Sequence, residues 1–176
     1  LMLSTVVSNS AVLGGGIYNL GNVTLSASNV VSNSASAAGG GIYNLGNVTL
    51  SASNVVSNSA SASGGGIYNL SNVTLSASSV LSNSATSNGG GITNIGSSSV
   101  ISMTNGSLVQ SNSATSGGGV YNQLSGNVTL SASSIVSNSA TSNGGGIYNG
   151  GGGSVISMTA GSLLLGNHAG ILGGGI

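Results

Sequence analysis

The sequence has no lysine, arginine, aspartate or glutamate, and it also lacks cysteine, proline, tryptophan and phenylalanine. Ordinary domains carry about a quarter charged residues, so each absence removes a class of function. Binding to nucleic acid, to anionic headgroups or to charged substrates depends on fixed charge; nucleic acid is therefore set aside as a partner. Without cysteine there is no disulfide framework and no thiolate metal site. Carboxylate acid–base catalysis cannot occur, and a serine nucleophile would need a positioned base. The single histidine, His168, stands beside Asn167 where the other repeats carry serine, with no acidic residue to orient it. One histidine alone is also a poor metal site. The sequence thus predicts no enzyme, no catalytic residue, no metal and no cofactor.

The longest apolar runs, such as Leu163-Leu164-Leu165 and Ile171-Leu172, are far too short to cross a bilayer. Leu1-Met2-Leu3 lacks the basic start and long apolar stretch of a signal peptide, so a targeting segment of an exported parent would lie outside these residues. A net charge of zero favours association. An anchored, fibrous or surface-assembled setting fits this better than a freely diffusing monomer.

What is present is a repeat. Gly-Gly-Gly triplets begin at positions 14, 39, 64, 89, 117, 144 and 173, spaced by 25, 25, 25, 28, 27 and 29 residues. Such a period belongs to a solenoid. The first two coils, Gly14 to Ala38 and Gly39 to Ser63, differ only at their last residue. The longer coils take their extra residues at Ser97 to Val100, Gln123 to Ser125 and Gly150 to Ser154, each just after the segment equivalent to Ile-Tyr-Asn, where a loop is expected.

Within a coil the apolar residues alternate, as in Val23-Thr24-Leu25-Ser26, which is the period of a strand. Three short strands per coil are readable: Gly16 to Asn19, Val23 to Ala27, and Val30 to about Ser34. The few large inward side chains of one coil cannot offset the entropy of ordering it, so the coils must stack. Residues 1–176 are expected to form one all-β solenoid, a right-handed parallel β-helix of about 25–29 residues per coil with six full coils and partial coils at its ends. The handedness follows the general preference of parallel crossovers. Leu1 falls inside the second strand and Ile176 inside the first strand of a new coil, which suggests an excerpt of a longer protein or a unit that stacks on copies of itself.

Threading the coils in register turns the sequence into columns. Asn9, Asn33, Asn58, Asn83, Asn112, Asn138 and Asn167 form one, and Asn19, Asn44, Asn69, Asn94, Asn122 and Asn149 a second. Stacked amides can hydrogen-bond along a parallel, in-register stack, so both columns read as structural ladders. The aliphatic column Val6, Val30, Val55, Val80, Val109, Ile135 and Leu164 should face inward, and the next position, which admits Gln110, outward. Two outward sets then remain. Tyr18, Tyr43, Tyr68, Tyr121 and Tyr148 form an aromatic column interrupted by Thr93; this is either a stiffening stack or a platform for carbohydrate or a protein partner. Thr24/Ser26, Thr49/Ser51, Thr74/Ser76 and Thr129/Ser131, with Ser102/Thr104 and Ser157/Thr159 as equivalents, form paired hydroxyl columns. These read as a solvated face or as an array that orders water or meets ice. Asn22, Asn47, Asn72, Asn105 and Asn127 match the glycosylation acceptor pattern. In-register sites would be only ~4.8 Å apart, which favours turn residues instead.

The unit Gly-Gly-Gly-Ile-Tyr-Asn, then Val-Thr-Leu, then Val-x-x-Asn-x-Ala, resembles the right-handed β-helix repeats of bacterial surface proteins, the polymorphic outer-membrane proteins and related autotransporter or adhesin passengers. Gly14-Gly15-Gly16-Ile17 is similar to that family's Gly-Gly-Ala-Ile motif and Val30-x-x-Asn33 to its Phe-x-x-Asn motif. Gly replaces Ala, and an aliphatic residue replaces Phe. The resemblance implies an extracellular stalk or adhesive passenger on a bacterial outer surface and transfers no receptor; a carbohydrate or surface receptor is a partner suggested by the tyrosine column alone. The runner-up readings are an ice-binding solenoid and a fibre subunit stacking end to end.

Overall fold

The computed structural model describes residues 1–176. The chain contains no helix; its 26 short strands all pair in parallel and build four sheets of seven, seven, six and six strands. The result is a parallel β-solenoid of about six turns. Each turn visits the four sheets in order, as in Ile42–Asn44, Asn47–Ser51, Asn54–Val56 and Ser59–Ala60. We name the sheets for a residue each repeats: tyrosine, threonine, valine and alanine. Pairing is in register, so Tyr18 lies on Tyr43 and Thr24 on Thr49.

Alternation fixes which side faces in. In Asn47–Ser51, Val48 and Leu50 are buried while Asn47, Thr49 and Ser51 are exposed. Ile42 and Val55 join them from the adjoining sheets, and the same columns in every coil make one core cluster of 19 buried residues along the axis. The inward Val30 column is fully buried in the five interior coils, while Val6 and Leu164 at the ends are half-buried. Gln110 lies on the outward side, as its polarity requires.

The sequence reading of three strands per coil is corrected to four. The third strand stops at Val31, because Ser32 adopts φ 54° and turns the chain; Ser34 opens a further strand, Ser34–Ala38. Its Ser-Ala alternation has no large or β-branched residue and so reads as a turn. Alanine at the inward position, Ala35, lets this wall sit close to the interior. The insertions are also incomplete as read from sequence. Besides the loops after the tyrosine strands, coils 4 and 6 carry Asn105-Gly106 and Ala160-Gly161 in turns between the threonine and valine strands.

Three corners are closed by a single left-handed residue, as in coil 1 at Ala27 (φ 47°), Ser32 (φ 54°) and then Gly39 (φ 68°). L-residues with a Cβ are strained there, and alanine, serine or glycine is used in most coils, with Leu3 (φ 48°) and Asn105 (φ 55°) as exceptions at the first of these corners. The glycine corner has a second requirement, which is space. A Cβ on Gly66 would sit 2.6 Å from the carbonyl oxygen of Gly91 and 3.1 Å from the side chain of Asn83. Gly21 faces open space. Gly66→Ala should therefore lower stability by about 1–3 kcal/mol through overpacking against backbone. Gly21→Ala should be neutral or gain up to about 1 kcal/mol from reduced unfolded-state entropy. Chemical denaturation of the two variants checks the contrast.

Candidate functional site

The polar columns lie mostly at the corners, and each has a defined bonding pattern. In the first asparagine ladder, Asn58 Oδ1 accepts from the backbone N–H of Asn33 at 2.9 Å and from its Nδ2 at 3.0 Å. Asn58 Nδ2 donates to Asn83 Oδ1 at 3.0 Å and to the Val30 carbonyl at 3.0 Å. Both donors and both acceptor positions of the amide are filled. Asn83, Asn112 and Asn138 repeat the pattern, and the interior members are buried. At the ends Asn9 is exposed and Asn167 half-buried.

The second ladder closes the corner between the tyrosine and threonine sheets. Asn44 Nδ2 donates to Asn69 Oδ1 at 2.8 Å, to Gly46 O at 2.8 Å and to Asn72 O at 3.0 Å, while its Oδ1 accepts from Asn19 Nδ2 at 2.7 Å. Asn94 and Asn122 continue the chain of bonds to Asn149, which is exposed on the last coil. The amide thus ties its own turn and the next coil together. Both columns expected to be ladders are ladders.

Sequence reasoning missed a third. Ser53 donates its hydroxyl to the Ser51 carbonyl at 2.8 Å and accepts the backbone N–H of Ser28 at 3.0 Å; Ser78 and Ser107 continue it. Ser28, Ser53, Ser78, Ser107 and Ser133 are buried at 0–2 % exposure. The signal was available, since serine occupies this column in Ser4, Ser28, Ser53, Ser78, Ser107, Ser133 and Ser162 without exception, but it is hidden among the abundant serines elsewhere. Two surface amide ladders were also missed: Asn72 donates to Asn47 and Asn47 to Asn22, and Asn54 donates to Asn29. Asn22, Asn47 and Asn72 are therefore the first residues of threonine-sheet strands rather than turn residues.

The tyrosines stack in two groups. Tyr18 and Tyr43 have ring centroids 5.3 Å apart at 3°, Tyr43 and Tyr68 4.9 Å at 5°, and Tyr121 and Tyr148 4.8 Å at 6°. The interruption is not a neutral substitution on the surface, because Thr93 is 1 % exposed and its hydroxyl donates to the Asn88 carbonyl at 2.9 Å. Stacking hides the ring faces within each group and presents ring edges and phenol hydroxyls. The paired hydroxyl columns share the threonine sheet in register, Thr24 to Thr49 to Thr74 to Ser102 to Thr129 to Ser157. Ser26, Ser51, Ser76 and Ser131 form the column beside them, with Thr104 and Thr159 as equivalents. His168 is exposed at the start of the last alanine-sheet strand, opposite Ser139. No family model matches the chain, and no curated protein and no solved structure matches it.

Burial raises the phenol pKa of Tyr43, Tyr68 and Tyr121 above the ordinary value, and the neighbouring phenol in each stack (Tyr18, Tyr43 and Tyr148 respectively) adds to the rise. A folded pKa above the unfolded one gives stability that is complete below about pH 10 and is lost as pH rises through the folded value. Thermal melts at rising pH should show this alkaline loss, and replacing Tyr43 and Tyr68 with phenylalanine should reduce it.

Truncating Asn58 to alanine leaves the two Asn33 donors without their acceptor and takes the amide donor from the Val30 carbonyl and from Asn83 Oδ1, which keeps only the backbone N–H of residue 58, an expected loss of about 3–5 kcal/mol. Asn58→Asp keeps the shape but sets a carboxylate against two acceptors, which raises its folded pKa. That variant should be most stable below about pH 4 and lose stability as pH rises through the folded pKa. Denaturation at several pH values tests both substitutions.

Proposed function

We propose that this chain is a non-enzymatic structural segment, a stiff extracellular spacer of a cell-surface protein with an adhesin-like outer face. The observation that carries the reading is the run of axial ladders at three corners, which commits the repeated polar residues to holding coil on coil. A segment built this way has a fixed length and cross-section, about 30 Å for six turns at the inter-strand spacing, and sets what lies at one end apart from what lies at the other. The likeness of the repeat to bacterial surface passengers supports the location. Contact with a carbohydrate or surface receptor falls to the Tyr18, Tyr43 and Tyr68 edge, a row of phenol hydroxyls that hydrogen-bonds without charge.

A second reading, ice binding, draws support from the in-register threonines and serines on an uncharged sheet. Against it, the asparagine column at the head of that sheet is internally bonded, and Val100 and Val155 replace asparagine in coils 4 and 6.

A glycan array probed with the protein and with a Tyr18, Tyr43, Tyr68→Ser variant separates an adhesive edge from a passive stalk: binding lost in the folded variant supports adhesion. Thermal hysteresis that disappears on Thr49→Tyr would instead replace the spacer reading with the ice-binding one.

A further inference from the structure

The tyrosine stacks set the most easily oxidised groups of the chain side by side. There is no cysteine and no tryptophan, so no thiol or indole competes with a phenol to lose an electron. Of the three methionines, Met2, Met103 and Met158, none lies on the tyrosine sheet, and Met103 is fully buried. The lack of cysteine also leaves disulfides out as a covalent tie between coils.

In-register pairing places Tyr43 on Tyr68 and Tyr121 on Tyr148. Each pair projects from adjacent strands with its rings nearly parallel, centroids 4.9 Å apart at 5° and 4.8 Å apart at 6°. The strands beneath are fixed. Ile42, Ile67, Val120 and Ile147 precede these tyrosines and are fully buried, and Asn44, Asn69, Asn122 and Asn149 follow them in the ladder. The four rings themselves are half-exposed, so an oxidant in solvent reaches them and a ring can tilt toward its neighbour while its strand stays in place. Between the two groups Thr93 stands where a ring would, which leaves Tyr68 and Tyr121 two strand steps apart, about 9.6 Å.

We infer that each tyrosine group is an oxidative cross-linking site, where a one-electron oxidant driven by a peroxide joins neighbouring coils through dityrosine. The oxidant takes one electron from each of two phenols and their protons pass to water, leaving two phenoxyl radicals. These couple by a carbon–carbon bond between ring positions ortho to the oxygens. Each of those carbons then loses its hydrogen as a proton, which restores the phenol hydroxyl and the aromatic ring. Two electrons and two protons have left the pair, and they convert one hydrogen peroxide to two waters. Stacking makes the coupling intramolecular and holds the partners together in advance. A tie across one coil restricts the unfolded chain as a disulfide does. Both hydroxyls survive on the outer edge, so the inference stands whatever that edge binds.

The test oxidises the folded 176-residue chain, at dilution, with a light-activated ruthenium complex and persulfate, a one-electron oxidant that works in urea as well as in buffer. Dityrosine fluorescence, denaturing gels and mass spectrometry of linked peptides follow the reaction, with elastase for digestion because trypsin has no lysine or arginine to cut at. The peptides around Tyr121 and Tyr148 differ from each other and from those of the first group, so their link is identified by mass. A link between Tyr121 and Tyr148, short of two hydrogens and within monomers, is expected in about tenfold or greater yield than from the chain unfolded in urea. The linked protein should unfold at higher urea concentration than the unlinked one. Tyr148→Phe should abolish linkage of Tyr121 within monomers and leave the links among Tyr18, Tyr43 and Tyr68; circular dichroism checks that this variant is folded. Equal yields from the folded and the unfolded chain would overturn the inference. So would links confined to multimers, or monomers in which Tyr68 joins Tyr121 as often as Tyr148 does.

Discussion

An amide side chain hydrogen-bonded to the same amide one strand away is the interaction on which this molecule depends. It works only when every coil presents asparagine at the same height and in the same rotamer. The requirement reaches outward from there. Asn83 needs the neighbouring backbone close enough to pack on it, which is why the triplet Gly64-Gly65-Gly66 has no room for a Cβ at Gly66. It needs the Val55 carbonyl as its second acceptor, at 3.0 Å, which holds the valine strand in register. The turn at Ser82, φ 54°, brings the chain to that point. Core, corner and ladder are one constraint met three times per repeat.

The same geometry gives the uncharged composition a physical cause. In-register repetition places each side chain over its own copy at ~4.8 Å. A lysine or glutamate at a repeated position would then face like charge above and below, at about 1 kcal/mol per contact even in water and more where solvent is partly excluded. Neutral amides and hydroxyls have the opposite property, since each carries both donor and acceptor and attracts its copy. Asn22, Asn47 and Asn72 show this on the open surface, where they still bond to one another at 2.8 and 2.9 Å. The lack of charge therefore speaks first about stacking and only second about partners.

Much of this was legible because the sequence repeats. The period, the parallel stack, the inward valines and both buried asparagine columns follow from laying the chain on itself. What was not legible had specific reasons. The alanine-sheet strand was missed because its inward residues, Ala35 and Ala60, are too small to mark a face. The serine ladder was missed because Ser53 looks like any other serine until its neighbour's N–H is seen 3.0 Å away. Thr93 reads as a polar replacement on an outer column, but it is small enough for its hydroxyl to reach the Asn88 carbonyl, 2.9 Å away, and this holds it out of solvent. Alternation assigns a residue to a side of the sheet. It does not say how far a short side chain stays from the wall.

A stack held by ladders tolerates change only where the chain has left them. The first three coils are nearly identical, and the later ones vary mostly between the second asparagine and the threonine strand. There Gly96 to Ser99, Leu124 to Gly126 and Gly150 to Ser154 replace a two-residue turn. Asn94, Asn122 and Asn149 keep their places despite these changes, because each amide holds the corner from inside the loop: Asn122 Nδ2 reaches Gly126 O at 2.8 Å, and Asn149 Nδ2 reaches Ser154 O at 3.3 Å. The loops rest on one another rather than on the core, as Ser125 does on Gly152 at 2.9 Å. They border both the tyrosine edge and the hydroxyl sheet. Insertions at that corner change the outline of two outer faces while the amide-to-amide bonds of the ladder stay at 2.7 to 2.8 Å through Asn94, Asn122 and Asn149, which is how a chain so tightly repeated can still present unlike coils to its surroundings.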